Sequence, residues 1–511
     1  MAQSSSNSDN KRIAQNTFLL YFRMFLAMGI SFYTSRVVLA QLGIDDFGVY
    51  NVVGGVVSMF AVLNSAMTSS TQRYITIELG RHNTERLKQV FNTSLQIHLI
   101  ISIGVALITE VFGLWFLHNK MQIPPESMSS ADWVFQLSVL SMIISFINVP
   151  YTALIIAYER MGAFAYISIL EVLLKLASAF LLAIAPFEKL KFYAILMFVC
   201  PIIIRICYWW YCKKNFEESR LRFIYNLSLF KEMVQFAGWG LFGQLAGMGA
   251  TQGLNILLNV FFGPAVNAAR GVAVQVQAAI SQFALNFQTA VNPQITKTYA
   301  SEDFNQMHAL IFRSAKFSFI LLYSLGLPVV IEAPAILHIW LEEVPDYTVQ
   351  FLRVIIFITI IDSVANPLMV AAAASGNIKK YQSVVGGLLL LIIPIAYIAL
   401  KMGASPISVF IVHLIVCIIA FISRLYIVKP LVRLQPRYFL SVVVMRCLYV
   451  ALLSALVSAT IYYCLPIGNI PAICVCILSS LSVLVVSYYI GLDKSEKEFS
   501  KKLLFKVLRI I

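Results

Sequence analysis

FFGPAVNAARGVAVQVQ, Phe261–Gln277, holds one formal charge, Arg270, and no other charged residue occurs from Met233 to Thr296. Its meaning comes from a second stretch, QLGIDDFGVYNVVGGVV, at residues 41–57. Displaced by 220 residues the two align without a gap, and Gly43 falls on Gly263. The register then persists: LGRHNTERLKQVFNTS (79–94) lies over YASEDFNQMHALIFRS (299–314), so Leu87 meets Met307, Val90 meets Leu310 and Ser94 meets Ser314. Each copy reads as an apolar span, a Gly-containing turn, a second span, and a polar helical loop entering a third. A fixed internal period of this kind marks a duplicated architecture. The displacement covers six spans, an even number, so both halves insert with the same orientation, as parallel repeats about an axis along the membrane normal.

Composition agrees. Of 511 residues, 59% are hydrophobic and only 12% charged, against roughly a quarter charged in soluble domains. Apolar runs recur from Phe18 to Ile490, each near the roughly 20 residues that cross a bilayer as a helix. The chain is therefore all-α and polytopic, with about fourteen transmembrane helices: two six-helix lobes plus two C-terminal helices. The expected organisation is an N-terminal lobe at 1–211, a cytoplasmic linker at 212–231, a C-terminal lobe at 232–428, two added spans at 429–491, and an amphipathic cytoplasmic tail at 492–511. Outer segments hold only Lys120, Lys189, Lys191 and Lys401, whereas inner segments hold most other Lys and Arg. That bias places both termini in the cytoplasm. It also accounts for the net charge of +14 through loop bias and anionic lipid contact rather than nucleic acid. The polar start MAQSSSNSDN precedes an apolar segment keeping Arg23 and Arg36, so the first span is read as uncleaved. The eight cysteines show no metal-ligand spacing and read as buried thiols, with a Cys464–Cys474 bridge unsupported.

The stretches LGIDDFGVYNVV, ERMGAFAYISILE (159–171), NILLNVFFGPAVNAARG (255–271), NPQITKTYAS (292–301) and PLMVAAAASGNIKKYQ (367–382) resemble those of Wzx-like polysaccharide or O-antigen repeat-unit flippases, of the multidrug/oligosaccharidyl-lipid/polysaccharide (MOP) superfamily. The resemblance covers essentially the whole chain. It implies a MATE-like fold of two six-helix lobes enclosing a cavity. The implied activity is translocation of polyprenyl-diphosphate-linked oligosaccharides from the inner to the outer leaflet of a bacterial cytoplasmic membrane. Membrane lipids and the polysaccharide polymerase machinery are the implied partners.

Charges within lipid cost about 2.5–3.5 kcal/mol each and so face a bundle interior or wet cavity. The intramembrane cations are Arg23, Arg36, Lys175, Arg205, Arg270, Arg353, Arg424 and Arg446; the acids are Glu171 and Asp362, with Glu110 and Glu332 nearer the outer edge. A cationic excess suits a diphosphate, onto which guanidinium groups fork. Candidate substrate-cavity residues are Arg23, Arg36, Arg270, Gln277, Gln288 and Arg353. Asn16, Arg23, Ala27 and Thr34 share one helical face, and Arg270, Gln277, Ser281, Gln288 and Asn292 form a narrow polar track. Interhelical hydrogen bonding is the competing reading of that track, and snorkelling to headgroups that of Arg36, Arg270, Arg353, Arg424 and Arg446. Asp362, beside Asn366 and Pro367, and Glu171 are candidates for proton or sodium coupling. The alternatives are a pair with Arg353 for Asp362, and with Lys175 four residues on for Glu171. Pro264, Pro293, Pro328 and Pro367 are candidate bends.

Three rivals compete. A MATE-type multidrug/cation antiporter shares the lobes but leans on acids. An enzyme of the pathway needs a substantial outer loop, and the longest here, HNKMQIPPESMSSA and PAILHIWLEEVPDY, are too short. A membrane scaffold accounts poorly for the polar tracks. No GxxxxGK[ST], HExxH or supported Ser-His-Asp pattern occurs, so the reading is a transporter without cofactor or metal, driven by H+, Na+ or the membrane potential.

Overall fold

The computed structural model describes residues 2–498 apart from 59, 120–122, 124, 186, 221–225, 342, 467 and 495. The tail motif Phe499, Leu503, Val507, Ile511 lies outside the described residues. The chain divides into two compact units, Gln15–Leu241 and Phe242–Ile511, the latter with Met1–Ala14.

All the regular structure described is helical, as lipid demands, since a helix satisfies its own backbone groups. Among the described residues twelve helices are long and apolar enough to cross a membrane. The spans expected near 47–68 and 268–295 correspond to Ala61–Gly80 with the residues before it, and to Pro264–Ala300. Neither helix is among those twelve, because each carries a dense set of Gln, Asn, Ser and Thr. They occupy the same place in the repeat. Many of these hydroxyls bond back to the preceding turn, as Ser281 does to Gln277 O (2.8 Å) and Thr76 to Gln72 O (2.6 Å), which makes a polar residue tolerable in a span.

Local geometry repeats with the sequence. The first helix breaks at Gly43 (φ 81, ψ 174), and the matching hairpin turns at Gly263 (φ 82, ψ −174). Both conformations are glycine's alone. His82 and Glu302 each take positive φ, 55° and 59°. The next residue then caps the following helix: Asn83 Oδ1 accepts from Arg86 N, and Asp303 Oδ1 from Gln306 N. The helices so capped start at Thr84 and Phe304, and the next full spans at Met128 and Thr348.

In the first unit Met128–Ala157 is the central helix, packed on Lys189–Asn215, Ala61–Gly80 and Thr84–Ile108. Phe135, Phe146 and Tyr151 on it are buried, and Tyr151 meets the Phe91 ring edge-on at 5.2 Å. In the second unit its counterpart Thr348–Ser375 packs on Pro264–Ala300, Phe304–Ile331 and Ser408–Val432. The added helices Met445–Cys464 and Asn469–Val486 lean on Phe304–Ile331, where Tyr323 donates to Ala451 O (2.9 Å) and Ser480 to Ser324 O (2.8 Å). Large apolar side chains stay exposed along the spans, Phe112, Ile184 and Val260 among them. On a water-soluble protein such patches would be unusual; here lipid covers them. Pro293, Pro328 and Pro367 lie inside helices, as candidate bends should. Pro264 instead opens its helix, where its missing N–H costs nothing. All eight cysteines are free.

Candidate functional site

The first unit contains a cavity of about 600 Å³. One wall is a stripe along the central helix: Ser138, Ser141, Ser145, Asn148 and Thr152, at alternating spacings of three and four, which keep side chains on one helical face. Ser141 and Ser145 donate to carbonyls a turn back, at 2.8 and 2.9 Å. Asn64, Thr68, Glu171 and Lys175 complete the polar lining. The side-chain oxygens of Asn64 and Asn148 are buried and accept no hydrogen bond from the described residues. Sequence reasoning missed this stripe, although its 3-4 spacing inside an apolar span was visible.

Glu171 and Lys175 form an ion pair at 2.6 Å. They share a face of Met161–Leu181 with Phe164 and Ser168, and Arg23 lies on the earlier part of that face. Its guanidinium sits 4.9 Å from the Phe164 ring centroid, and Nη1 donates to Ser168 Oγ at 3.4 Å. Asn16, predicted to share Arg23's face, is buried and donates to Glu159 O at 3.2 Å. Arg205 lies 4.0 Å over the Tyr151 ring. Arg36 is exposed.

In the second unit Arg270 is buried, and its two terminal nitrogens donate to Asn255 Oδ1 (3.1 Å) and Thr251 O (2.9 Å). Both acceptors lie on Leu227–Phe262, so the guanidinium staples the two arms of the hairpin that turns at Gly263. The track predicted beneath it does not act as one strip. Gln277 is half-buried beside a small apolar void with Ile280 and Leu322. Gln288 is buried and donates to Ser318 Oγ (3.0 Å) and Ser363 O (3.1 Å), joining three helices. Its present bonds are interhelical, and contact with cargo requires that they open. Arg353 donates from Nε to Val330 O at 2.9 Å. Asp362 pairs with Arg424 at 3.0 Å rather than with Arg353. Arg424, read from sequence as an inner-face snorkelling residue, is drawn inward by that carboxylate. Cys417 Sγ also donates to Asp362, at 3.4 Å. Among the described residues no cluster of His, Cys, Asp and Glu could hold a metal ion.

A pattern follows from these partners. The two acids deepest in the spans, Glu171 and Asp362, are each paired with a cation, whereas Glu110, nearer the outer edge, accepts from the neutral amide of Gln136 at 3.0 Å. Arg270 and Arg353 are held by neutral oxygens, which fix a guanidinium without cancelling its charge.

Residues 20–181 match the MatE family model. Solved structures align along most of the chain. One crystal structure of a MATE point mutant covers 83% of this chain and 97% of its own at 13% identity and TM-score 0.71. An outward-facing multidrug resistance MATE family transporter of the MOP superfamily covers 82% and 96% at 15% identity and 0.67. A MOP superfamily transporter from Pyrococcus furiosus, described by a binding pocket of reverse polarity, covers 82% and 96% at 14% identity and 0.65. The chain has the MATE fold. The MatE match lies within the first unit. No curated protein matches it in sequence.

Proposed function

We propose that this protein of MATE fold translocates polyprenyl-diphosphate-linked oligosaccharide repeat units from the inner to the outer leaflet by alternating access, for cell-surface polysaccharide synthesis. The observation that carries the reading is the distribution of partners: the two acids deepest in the spans, Glu171 and Asp362, are paired off, while Arg270 and Arg353 keep their charge on neutral acceptors. Fixed, uncancelled guanidinium groups suit phosphate oxygens. The first unit's cavity, lined by hydroxyls and amides around a self-neutralised ion pair, suits the hydroxyl-rich, uncharged surface of sugars.

The test is deletion of the gene in its own bacterium. The expected outcome is accumulation of lipid-linked repeat units on the inner leaflet, reversed by the intact gene. Normal export in the deletion strain overturns the reading. The MatE match favours a second reading, a multidrug/cation antiporter, in which Glu171 or Asp362 must release its ion-pair partner to take up a cation. Drug resistance conferred by the intact protein and lost in Glu171→Gln or Asp362→Asn supports that alternative.

A further inference from the structure

The polar stripe along the central helix of the first unit has no counterpart in the second copy. At the 220-residue displacement the helix starts Met128 and Thr348 coincide. Ser138, Ser141, Ser145, Asn148 and Thr152 then fall on Ile358, Ile361, Ala365, Leu368 and Ala372. All of these but Ile361 are buried in the apolar core. The fold therefore builds this helix without a polar stripe, and the first copy carries one for another purpose. Joining helices is not that purpose, because the bonds made by Ser141, Ser145, Asn148 and Thr152 stay within their own helix.

The hydrogens of this cavity lining are mostly committed. A hydroxyl has one hydrogen and two lone pairs. Thr68, Ser141, Ser145 and Thr152 each give that hydrogen to a main-chain carbonyl of their own helix, so they can meet a ligand only as acceptors. Thr152 Oγ1 in turn accepts from Asn148 Nδ2 at 3.4 Å. That contact orients the amide, since only its NH2 end can donate to a hydroxyl whose hydrogen is placed elsewhere. Asn148 Oδ1 is the end left without a donor. The charged lining is a single pair, Glu171 with Lys175, and it sums to zero. Arg23 and Arg205 are not part of the lining; each guanidinium is spread over an aromatic ring, of Phe164 and Tyr151.

We infer that this cavity is a glycan subsite that selects uncharged, hydroxyl-bearing sugars against carboxylated ones. The inference rests on the cargo proposed above and narrows it. A neutral sugar brings several O–H donors to acceptors that lack them, and it leaves the charge of the lining at zero. A carboxylated sugar exchanges donors for acceptor oxygens, which find no hydrogen on the stripe. It also adds a negative charge beside Glu171, with Lys175 already held by that residue, and a like charge so placed is unfavourable. The diphosphate, an anion with acceptors only, is excluded from the cavity on the same grounds.

The test uses the full chain in proteoliposomes with two polyprenyl-diphosphate-linked trisaccharides that differ only in oxidation of the C6 hydroxyls to carboxylates. Translocation is read as the change in the fraction of radiolabelled glycan cleaved by external periodate. The membrane potential is held at zero, so that the added charge gains no driving force. The neutral glycan is expected to move at least about tenfold faster. Glu171→Gln leaves Lys175 to balance one carboxylate, and should close most of that gap by speeding the oxidised glycan. Asn148→Leu, which installs the residue of the second copy, should slow the neutral glycan several-fold. A monodisperse elution profile shows that a variant folds, and either variant alone decides. Movement of neither glycan overturns the cargo reading itself. Equal movement of both leaves that reading standing and overturns the selectivity proposed here. So does a gap that Glu171→Gln leaves unchanged, or a neutral rate that Asn148→Leu leaves unchanged.

Discussion

Arg270 answers for the only charge in its long uncharged run. Two bonds to neutral oxygens hold it, and that fork is something lysine cannot copy. Arg270→Ala is expected to lower glycan export at least tenfold with the protein still present in the membrane, and Arg270→Lys to fall between. Unchanged export in Arg270→Ala, in a complementation assay limited by transporter level, removes it from the cargo path. A second residue reports stability. Glu188, in the loop between two spans of the first unit, receives the Ser130 hydroxyl and Lys191 at 2.9 Å, which hold its carboxyl below the ordinary value of 4.5. A depressed native pKa adds stability that is present above the unfolded value and lost as pH falls through the native one. Ser130→Ala should therefore lower the melting temperature slightly at pH 7, and that difference should shrink in acid. A gap that is constant with pH would trace to packing instead.

At the scale of elements, the repeat is written in backbone angles as well as letters. Gly43 and Gly263 share a conformation barred to other residues, and a Cβ at either meets no atom within 4 Å. Any cost of substitution is therefore backbone strain alone, about 1–3 kcal/mol. Gly43→Ala and Gly263→Ala are expected to destabilise by similar amounts in thermal unfolding. Markedly unequal losses would mean that the turns are not equivalent. The polar helices Ala61–Gly80 and Pro264–Ala300 show the other side of duplication. Both copies keep a helix too polar for a lipid-facing span, so both need burial against neighbours. The central helices beside them, Met128–Ala157 and Thr348–Ser375, provide it.

For the molecule as a whole, the proposed cargo carries its own driving force. Moving two negative charges outward against an inside-negative potential of about 100 mV releases roughly 4–5 kcal/mol. Collapsing the potential across proteoliposomes should slow flipping of a diphosphate-linked glycan by at least several-fold, while an imposed pH or sodium gradient without potential should not replace it. A rate that ignores the potential and follows the ion gradient would return Asp362 or Glu171 to a coupling role.

Apolar length, loop charge bias and the 220-residue register are linear properties, and by themselves they determined the helical class, the two copies and the added pair of spans. Contacts within one helix were legible for the same reason: Lys175 follows Glu171 by one turn, and they pair. The serine stripe of the first unit obeyed the same rule and could have been read. Partnerships between helices could not. Asp362 lies nine residues from Arg353 and 62 from Arg424, yet it pairs with the distant one, because packing rather than sequence distance sets which guanidinium it faces. Gln288 likewise sat on a face that suggested a cavity, and the neighbouring helices turned it into a buried bond between them. A stripe says only that a face is polar; whether that face meets water or another helix depends on what the remaining chain stacks against it.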